Sequence, residues 1–179
     1  MTSSAYTVDV ASTCTGWSQV CPGADRYARS AARRALKHGA PAALWEARLE
    51  VAIVLADAGL QRGLNRDYRG VDAPTNVLAF PAWDPRTRVP IGAPILLGDV
   101  VLALEIVARE ASEQNKPIAD HLRHMVVHGV LHLLGYDHMT PIEAAMMEAL
   151  ERSILADLGV SDPYRDPMCS IERVFTSHE

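Results

Sequence analysis

The sequence predicts an α/β fold, in which a single domain holds a small mixed β-sheet of about four strands packed with helices. Short apolar segments with strand patterning alternate with helical segments in the first half of the chain, and the second half is almost entirely helical in its periodicity. The chain has 179 residues, 49% of them hydrophobic, which is enough for one continuous core without disulfide bonds.

Strand and helix signals follow one another along the chain. Residues 6–11 alternate in strand fashion, 49–56 form a buried apolar run, and two more apolar runs flank a Pro- and Gly-rich connection at 81–94 that could be a mobile flap. The predicted strands are 6–11, 49–56, 77–80 and 96–102. The predicted helices are 25–38, a short one ending near 64, 103–115, 119–134 and 141–158, the last capped by Thr140 and stopped by Gly159.

Composition argues against a membrane protein and favours a reducing compartment. No apolar run is long enough to span a membrane, and the N-terminus lacks the basic start and apolar segment of a signal peptide. Cys14, Cys21 and Cys169 are odd in number and form no Cys-x-x-Cys pair, so we expect packing or surface thiols. The expected location is the cytoplasm.

Basic residues concentrate on one side of the first predicted helix, although the whole chain carries a formal net charge of −5. That net charge argues mildly against a nucleic-acid partner. Such a stripe can follow phosphates, but more often it is the solvated side of an amphipathic helix. The stripe consists of Arg26, Arg29, Arg33 and Lys37 opposite an alanine-rich face, with Arg34 beside it.

Residues 128–138 read His-Gly-Val-Leu-His-Leu-Leu-Gly-Tyr-Asp-His and have the spacing of a metal site. His128 and His132 are four residues apart, so they lie one turn apart on the same face of a helix. Gly135 can adopt a left-handed conformation that ends this helix and returns the chain, which brings His138 from a third direction. Three imidazoles with a fourth position left for water are typical of a catalytic zinc site.

Other roles for histidines of this helix stay open at this point. Two histidines four apart are more often unrelated groups than ligands, and the third histidine after a glycine is what favours a metal. His124 lies one turn earlier on the same face, where it could replace a ligand, hold a water or contact substrate. His121, near the helix start, is predicted to be solvated. The apolar residues at 125–134 indicate that the core surrounds most of this helix.

The spacing also matches the metalloprotease pattern His-Glu-x-x-His-x-x-Gly-x-x-His, with one difference. Gly129 stands where that pattern has its glutamate, the general base that takes a proton from zinc-bound water. Glycine cannot accept a proton, so a peptidase would lack its base. The missing side chain either gives a bulky substrate room beside the ion or lets the helix pack closely.

A polar segment before the third strand contains the second candidate. Residues 64–76 are predicted as a loop that feeds the strand and ends in a turn at 74–76. Arg69 lies in this loop, and its planar guanidinium matches phosphate oxygens bidentately. From spacing alone, a surface ion pair with Asp67 or Asp72 is the more common outcome.

Together these segments resemble the YbeY family, the metal-dependent endoribonucleases of bacterial ribosomal RNA maturation. Residues 128–138 match the family signature His-Gly-x-Leu-His-Leu-x-Gly-Tyr-Asp-His in full. Residues 68–81, the Leu-Gly-Asp at 97–99 and the Asp-Pro-Tyr at 162–164 resemble three further family segments in the same order. Ala79 stands where serine is usual in the family, and residues 1–48 carry little of the resemblance.

The resemblance implies one Zn²⁺ per chain held by His128, His132 and His138, with Arg69 as the functional arginine. It implies a single-strand-specific endoribonuclease that acts in 3′-end maturation of small-subunit ribosomal RNA and in ribosome quality control. The expected partners are single-stranded RNA, the ribosome and a small-subunit ribosomal protein, and no membrane is expected. The domain would span 1–164, which leaves 165–179 as a C-terminal tail.

The sequence leaves alternatives open for both the mechanism and the class of function. The attacking group could be zinc hydroxide or the ribose 2′-hydroxyl, and the proton could pass to the metal itself, to Asp137 or to a ribose hydroxyl. Asp137 could instead orient a histidine. A metallohydrolase of peptides or small molecules is one other class, and a ribosome assembly factor with structural zinc is another.

Overall fold

A four-stranded mixed sheet with the order β1-β2-β4-β3 lies at the centre of the fold. The structure is a computed structural model and describes residues 5–89 and 92–165. β1 (Tyr6–Ser12), β2 (Leu49–Ala56) and β4 (Ile95–Ala103) run parallel, and β3 (Val77–Pro81) pairs antiparallel with β4 at one edge. The predicted α/β class with a mixed sheet of about four strands is confirmed.

The two central strands are apolar along most of their length because helices cover the sheet. In β2, Leu49, Ile53 and Ala56 have no exposed surface, and the last four residues of β4 are all buried. Near-continuous apolar runs of this kind are typical of parallel strands that are covered on both faces. β3 has only one fully buried residue, Leu78, in keeping with its place at the edge.

Six α-helices surround the sheet in the part of the chain that is described. Four of them match predicted helices to within two residues at each end. The short α1 and a 3₁₀ turn at Ala42–Leu44 are missing from the prediction because neither is long enough to show periodicity. The helices are α1 (Gly16–Val20), α2 (Ala24–Gly39), α3 (Ala58–Arg69), α4 (Leu104–Glu113), α5 (Ile118–Leu133) and α6 (Pro141–Asp157).

The predicted ends of α6 are confirmed. The Thr140 hydroxyl accepts a hydrogen bond from the Glu143 amide at 3.2 Å, and the Glu143 carboxylate accepts one from the Thr140 amide at 3.0 Å. This reciprocal pair is a capping box, which satisfies two amides that the first turn leaves unpaired. Gly159, with a φ of 73°, follows the last turn.

α3 extends to Arg69, so the prediction of a loop from residue 64 onward is wrong. Asp57 caps the start of this helix, and Gly70, with a φ of 71°, ends it. The buried face carries Gln61 and Asn65, which donate to backbone carbonyls of β4 and of the loop after the helix. Because these amides replace apolar side chains, the hydrophobic periodicity that would reveal the helix is absent.

α2 packs its alanine-rich face against β1, β2 and α5, as the sequence pattern indicates. Two residues of the basic stripe region are used inside the fold: Arg29 donates to a carbonyl of β1, and Arg34 pairs with Asp157 of α6 at 3.4 Å. Contact of the basic stripe with phosphates stays a prediction. It now applies to fewer basic residues than the sequence spacing indicates. The exposed members are Arg26, Arg33 and Lys37.

Some sequence-based expectations fall beyond the described residues. The tail at 165–179 lies outside them except for Arg165, as do Cys169 and residues 90–91 of the connection at 81–94. Cys21 is buried and Cys14 is half-buried, which agrees with packing roles. Within the described ranges, no helix has both the length and the apolar character that a membrane crossing requires.

α5 approaches the sheet closely at Gly129. A Cβ at this position would lie 2.5 Å from Cγ1 of Val100 on β4 and 3.2 Å from Cγ2 of Val77 on β3. A helix can approach a sheet this closely only where it presents no side chain. The geometry therefore supports close packing as an explanation for Gly129.

Gly129→Ala should lower the free energy of unfolding by about 1–3 kcal/mol, because the added methyl overpacks the contact between helix and sheet. Gly63→Ala is the matched control, since Gly63 also lies inside a helix but nothing is within 4 Å of where its Cβ would be. The control should raise the free energy of unfolding by about 0.4–1 kcal/mol. Urea unfolding followed by circular dichroism measures both, and equal stability of Gly129→Ala and the parent would contradict the contact.

Candidate metal centre

The last two turns of α5 carry His128 and His132 at the border of a cleft. Their Nε2 atoms are 3.1 Å apart, and both side chains are half-buried. Two ring nitrogens at this distance need a proton or a cation between them, because two lone pairs that face each other repel. The pair can therefore share either a proton or a metal cation.

A glycine turn brings the third histidine to the same point. α5 ends in a Schellman motif, in which Gly135 has a φ of 96° and the next amide donates back into the last turn at 3.0 Å. The chain then reverses, and Asp137 Oδ1 accepts a hydrogen bond from the His138 amide at 2.7 Å. One ring nitrogen from each of His128, His132 and His138 lies within 4.8 Å of the other two, so the three could hold a metal ion.

A buried carboxylate lies behind His128. Glu151 of α6 has no exposed surface, and its Oε1 accepts from Nδ1 of His128 at 2.8 Å. Its Oε2 accepts from Nε2 of His124 at 3.1 Å and from the Tyr164 hydroxyl. Burial alone would raise the pKa of the Glu151 carboxyl, but these hydrogen bonds outweigh burial and lower the pKa to about 2. Glu151 is therefore ionised at neutral pH, and the Nδ1 proton of His128 points at it.

Glu151 and Tyr164 are neighbours of the site that the sequence analysis misses. A signal exists for Glu151, because Met147, Glu151, Ile154 and Leu155 are spaced as one buried face of α6. An acidic residue at such a core position needs partners, since an uncompensated buried charge costs several kcal/mol. For Tyr164 the signal is the Asp-Pro-Tyr segment at 162–164, which resembles a family segment but carries no assigned role in the sequence analysis.

The other two histidines of α5 have partners elsewhere. His121 is buried and its Nε2 lies 2.8 Å from Oε2 of Glu110, so the prediction of a solvated residue is wrong. Burial lowers the pKa of His121, although the Glu110 carboxylate opposes this shift. His124 points to Glu151 and is not a member of the histidine cluster. These contacts form because α4 packs against α5 and brings Glu110 to it, and α6 packs against α5 and brings Glu151.

A cleft of about 690 Å³ opens in front of the cluster. One wall is formed by the end of α5 and the turn after it, and the other by β3 and the start of the 81–94 connection. Arg69, the last residue of α3, lines the same cleft. Its suggested ion-pair partners are engaged elsewhere, because Asp67 pairs with Arg66 and Asp72 pairs with Arg62. Among the described residues, no ion pair involves Arg69.

The cluster suits a divalent metal ion. Burial, together with the neighbouring His128 and His138, lowers the pKa of His132, so this ring is neutral at pH 7 and can offer a lone pair. His128 offers Nε2 because Glu151 holds its other nitrogen. Nitrogens bound to one tetrahedral zinc ion are about 3.3 Å apart, given Zn–N bonds of about 2.0–2.1 Å. The 3.1 Å between the first two ring nitrogens is close to that spacing.

Comparison with known proteins points to one family. A family model described as Endoribonuclease YbeY matches residues 21–159. A protein of Paramagnetospirillum magneticum named Endoribonuclease YbeY is 53% identical over 152 residues, which cover 84% of this chain and 91% of that protein. A protein of the same name from Parvibaculum lavamentivorans is 56% identical over 137 residues, which cover 74% of each chain.

A solved structure agrees at the level of architecture. The solution structure of TM1509 from Thermotoga maritima has a TM-score of 0.50 and 20% identity, covering 89% of this chain and 100% of that one. A likeness at this identity supports the fold alone. The family model covers most of the chain and the relatives are more than half identical, so this chain belongs to the endoribonuclease YbeY family.

Proposed function

We propose that this protein is a zinc-dependent endoribonuclease that is specific for single-stranded RNA. The observation that carries the proposal is that one cleft holds both the histidine cluster and Arg69. Membership of the family makes the chain an endoribonuclease, since its relatives carry that name. We further propose that it acts in the cytoplasm on ribosomal RNA, in 3′-end maturation of the small-subunit RNA and in ribosome quality control, together with the ribosome or a small-subunit ribosomal protein.

In this proposal His128, His132 and His138 hold one zinc ion per chain. When bound, zinc lowers the pKa of a coordinated water to about 7 and polarises a phosphoryl oxygen. The chain orients the histidines with its own hydrogen bonds. Glu151 holds the Nδ1 proton of His128, and Asp137 holds the amide of His138.

Arg69 supplies positive charge for the phosphate. Its guanidinium lines the cleft without an ion-pair partner in the described part of the chain, so it is available to bind two phosphate oxygens and to stabilise negative charge that grows during cleavage. Position 129 offers no base, because a glycine is packed there against Val100. Asp137 carries the only carboxylate among the described residues that line the cleft. It is therefore the side chain that we propose as a proton acceptor.

The purified protein should cleave a single-stranded RNA and leave a duplex of the same sequence intact, and chelation should abolish cleavage until Zn²⁺ is restored. His132→Ala should lower the zinc content from about one per chain to well below one and abolish cleavage, because two imidazoles hold zinc weakly. His38→Ala is the control, since His38 lies on α2 and pairs with Asp157 outside the cleft. Elemental analysis and denaturing gels of end-labelled RNA measure both properties.

The outcome separates the remaining function classes. A folded, zinc-loaded protein that leaves all single-stranded RNA intact would refute the nuclease proposal. If cells with only Arg69→Ala, which should keep its zinc, still mature their ribosomal RNA, an assembly factor with structural zinc is the better explanation. The new RNA ends identify the attacking group, because only the 2′-hydroxyl leaves a cyclic phosphate.

Arg69→Ala should lower the cleavage rate about 10²–10³-fold without a change in zinc content, because it removes a preorganised donor for transition-state charge. Arg69→Lys should have an intermediate rate, since it keeps the charge but loses the planar fork. Arg66→Ala is the matched control, because Arg66 lies on the same helix but does not line the cleft and pairs with Asp67. Single-turnover rates on one RNA compare the three variants, and a parental rate for Arg69→Ala would remove Arg69 from the mechanism.

A further inference from the structure

The residues behind His128 form a connected network that the proposed chemistry does not itself use. Glu151 has no exposed surface, and donors occupy both of its oxygens. Oε1 accepts from His128 at 2.8 Å, while Oε2 accepts from His124 at 3.1 Å and from Tyr164. The carboxylate cannot rotate without breaking these bonds, so its orientation is fixed by three partners.

This fixed carboxylate determines which nitrogen of His128 faces the cluster. A neutral imidazole carries its proton on one nitrogen, and only the other can bind a metal. With Nδ1 donating to Glu151, the lone pair is on Nε2, the atom that lies 3.1 Å from Nε2 of His132. The tautomer and the ring orientation therefore follow from a contact on the side away from the cleft.

The segment that carries Tyr164 is held by contacts with two parts of the fold. Lys116, between α4 and α5, donates to the Pro163 carbonyl at 2.8 Å. Arg152 of α6 pairs with Asp162 at 3.3 Å and lies 4.9 Å from the centre of the Tyr164 ring. The segment after α6 is thus docked on the connection between α4 and α5 and on α6, and its tyrosine reaches the buried carboxylate.

We propose that Glu151 and Tyr164 are positioning residues for the metal centre. Tyr164 holds Glu151, and Glu151 holds His128 in the orientation and tautomer that bind the ion. The inference rests on the proposed function, in which the histidine cluster binds zinc. It makes the segment after α6 a part of the site, although none of its described residues lines the cleft.

The chain offers a matched comparison on the same helix. Glu110 makes a contact of the same length, 2.8 Å, with His121, which is also on α5 but outside the cluster. Glu110→Gln therefore perturbs a carboxylate–histidine pair without touching a proposed ligand. Glu151→Gln leaves one acceptor oxygen for three donors, so at least one of His128, His124 and Tyr164 loses its partner.

The test measures zinc affinity of the full chain by competition with a chelating dye. Affinity should fall about 10–100-fold for Glu151→Gln, the usual effect of removing a partner of a metal-bound histidine. Tyr164→Phe should weaken binding in the same direction, by about tenfold or less, and Glu110→Gln should bind like the parent. The visible spectrum of the cobalt(II)-loaded protein should differ from that of the parent in Glu151→Gln. The spectrum of Glu110→Gln should match that of the parent. In the metal-free protein, ¹⁵N NMR of the His128 ring should report a proton on Nδ1 in the parent and a mixture of tautomers in Glu151→Gln.

Each result decides between distinct conclusions. A parent protein that binds no zinc would overturn the metal centre and the proposed function with it. A parent that binds zinc, with Glu151→Gln and Tyr164→Phe equally tight and spectrally unchanged, would overturn the positioning role alone. Equal weakening by Glu110→Gln would also overturn it, because the loss would then reflect general stability. Should Glu151→Gln fail to fold, the affinity of Tyr164→Phe decides.

Discussion

The close packing of α5 on the sheet at Gly129 is the constraint on which the site depends. Successive residues of a helix are rotated by about 100°, so one fixed contact sets the direction of every other side chain. The histidines of α5 share one side of the helix, and the partner that each one meets determines its role. These histidines are His121, His124, His128 and His132. α4 brings Glu110 to His121, and α6 brings Glu151 to His124 and His128.

The buried Glu151 carboxylate links the stability of the fold to the geometry of the site. Burying an ionised carboxylate costs several kcal/mol when its charge is not compensated. Hydrogen bonds to a charged group contribute about 1.5–3 kcal/mol each, so the three donors around Glu151 are sufficient to offset that cost. The same bonds that stabilise the contact of α6 with α5 therefore also orient His128. A negative group behind the ring would also increase its basicity toward the proposed metal ion.

The sequence predicts those parts of the molecule that depend on residues near one another in the chain. The bounds of β2 and α5 follow from apolar runs, and the histidine cluster follows from helical spacing and the turn at Gly135. The errors concern contacts between distant segments. α3 is missed beyond residue 64 because its buried face carries amides, and His121 is misplaced because its partner Glu110 comes from another helix. Spacing along one chain cannot show which carboxylate will be brought to which histidine.

The two halves of the cleft differ in how far apart their parts lie along the chain. The clustered histidines come from one helix and the turn after it, whereas Arg69 joins them only once α3 has docked and β3 has paired with β4. Closing the longer loop costs more chain entropy, so the position of Arg69 depends on the docking of α3 more than the spacing of the histidines does. A loosening of α3 alone would therefore move the arginine away from the cleft while the histidines of α5 stay together.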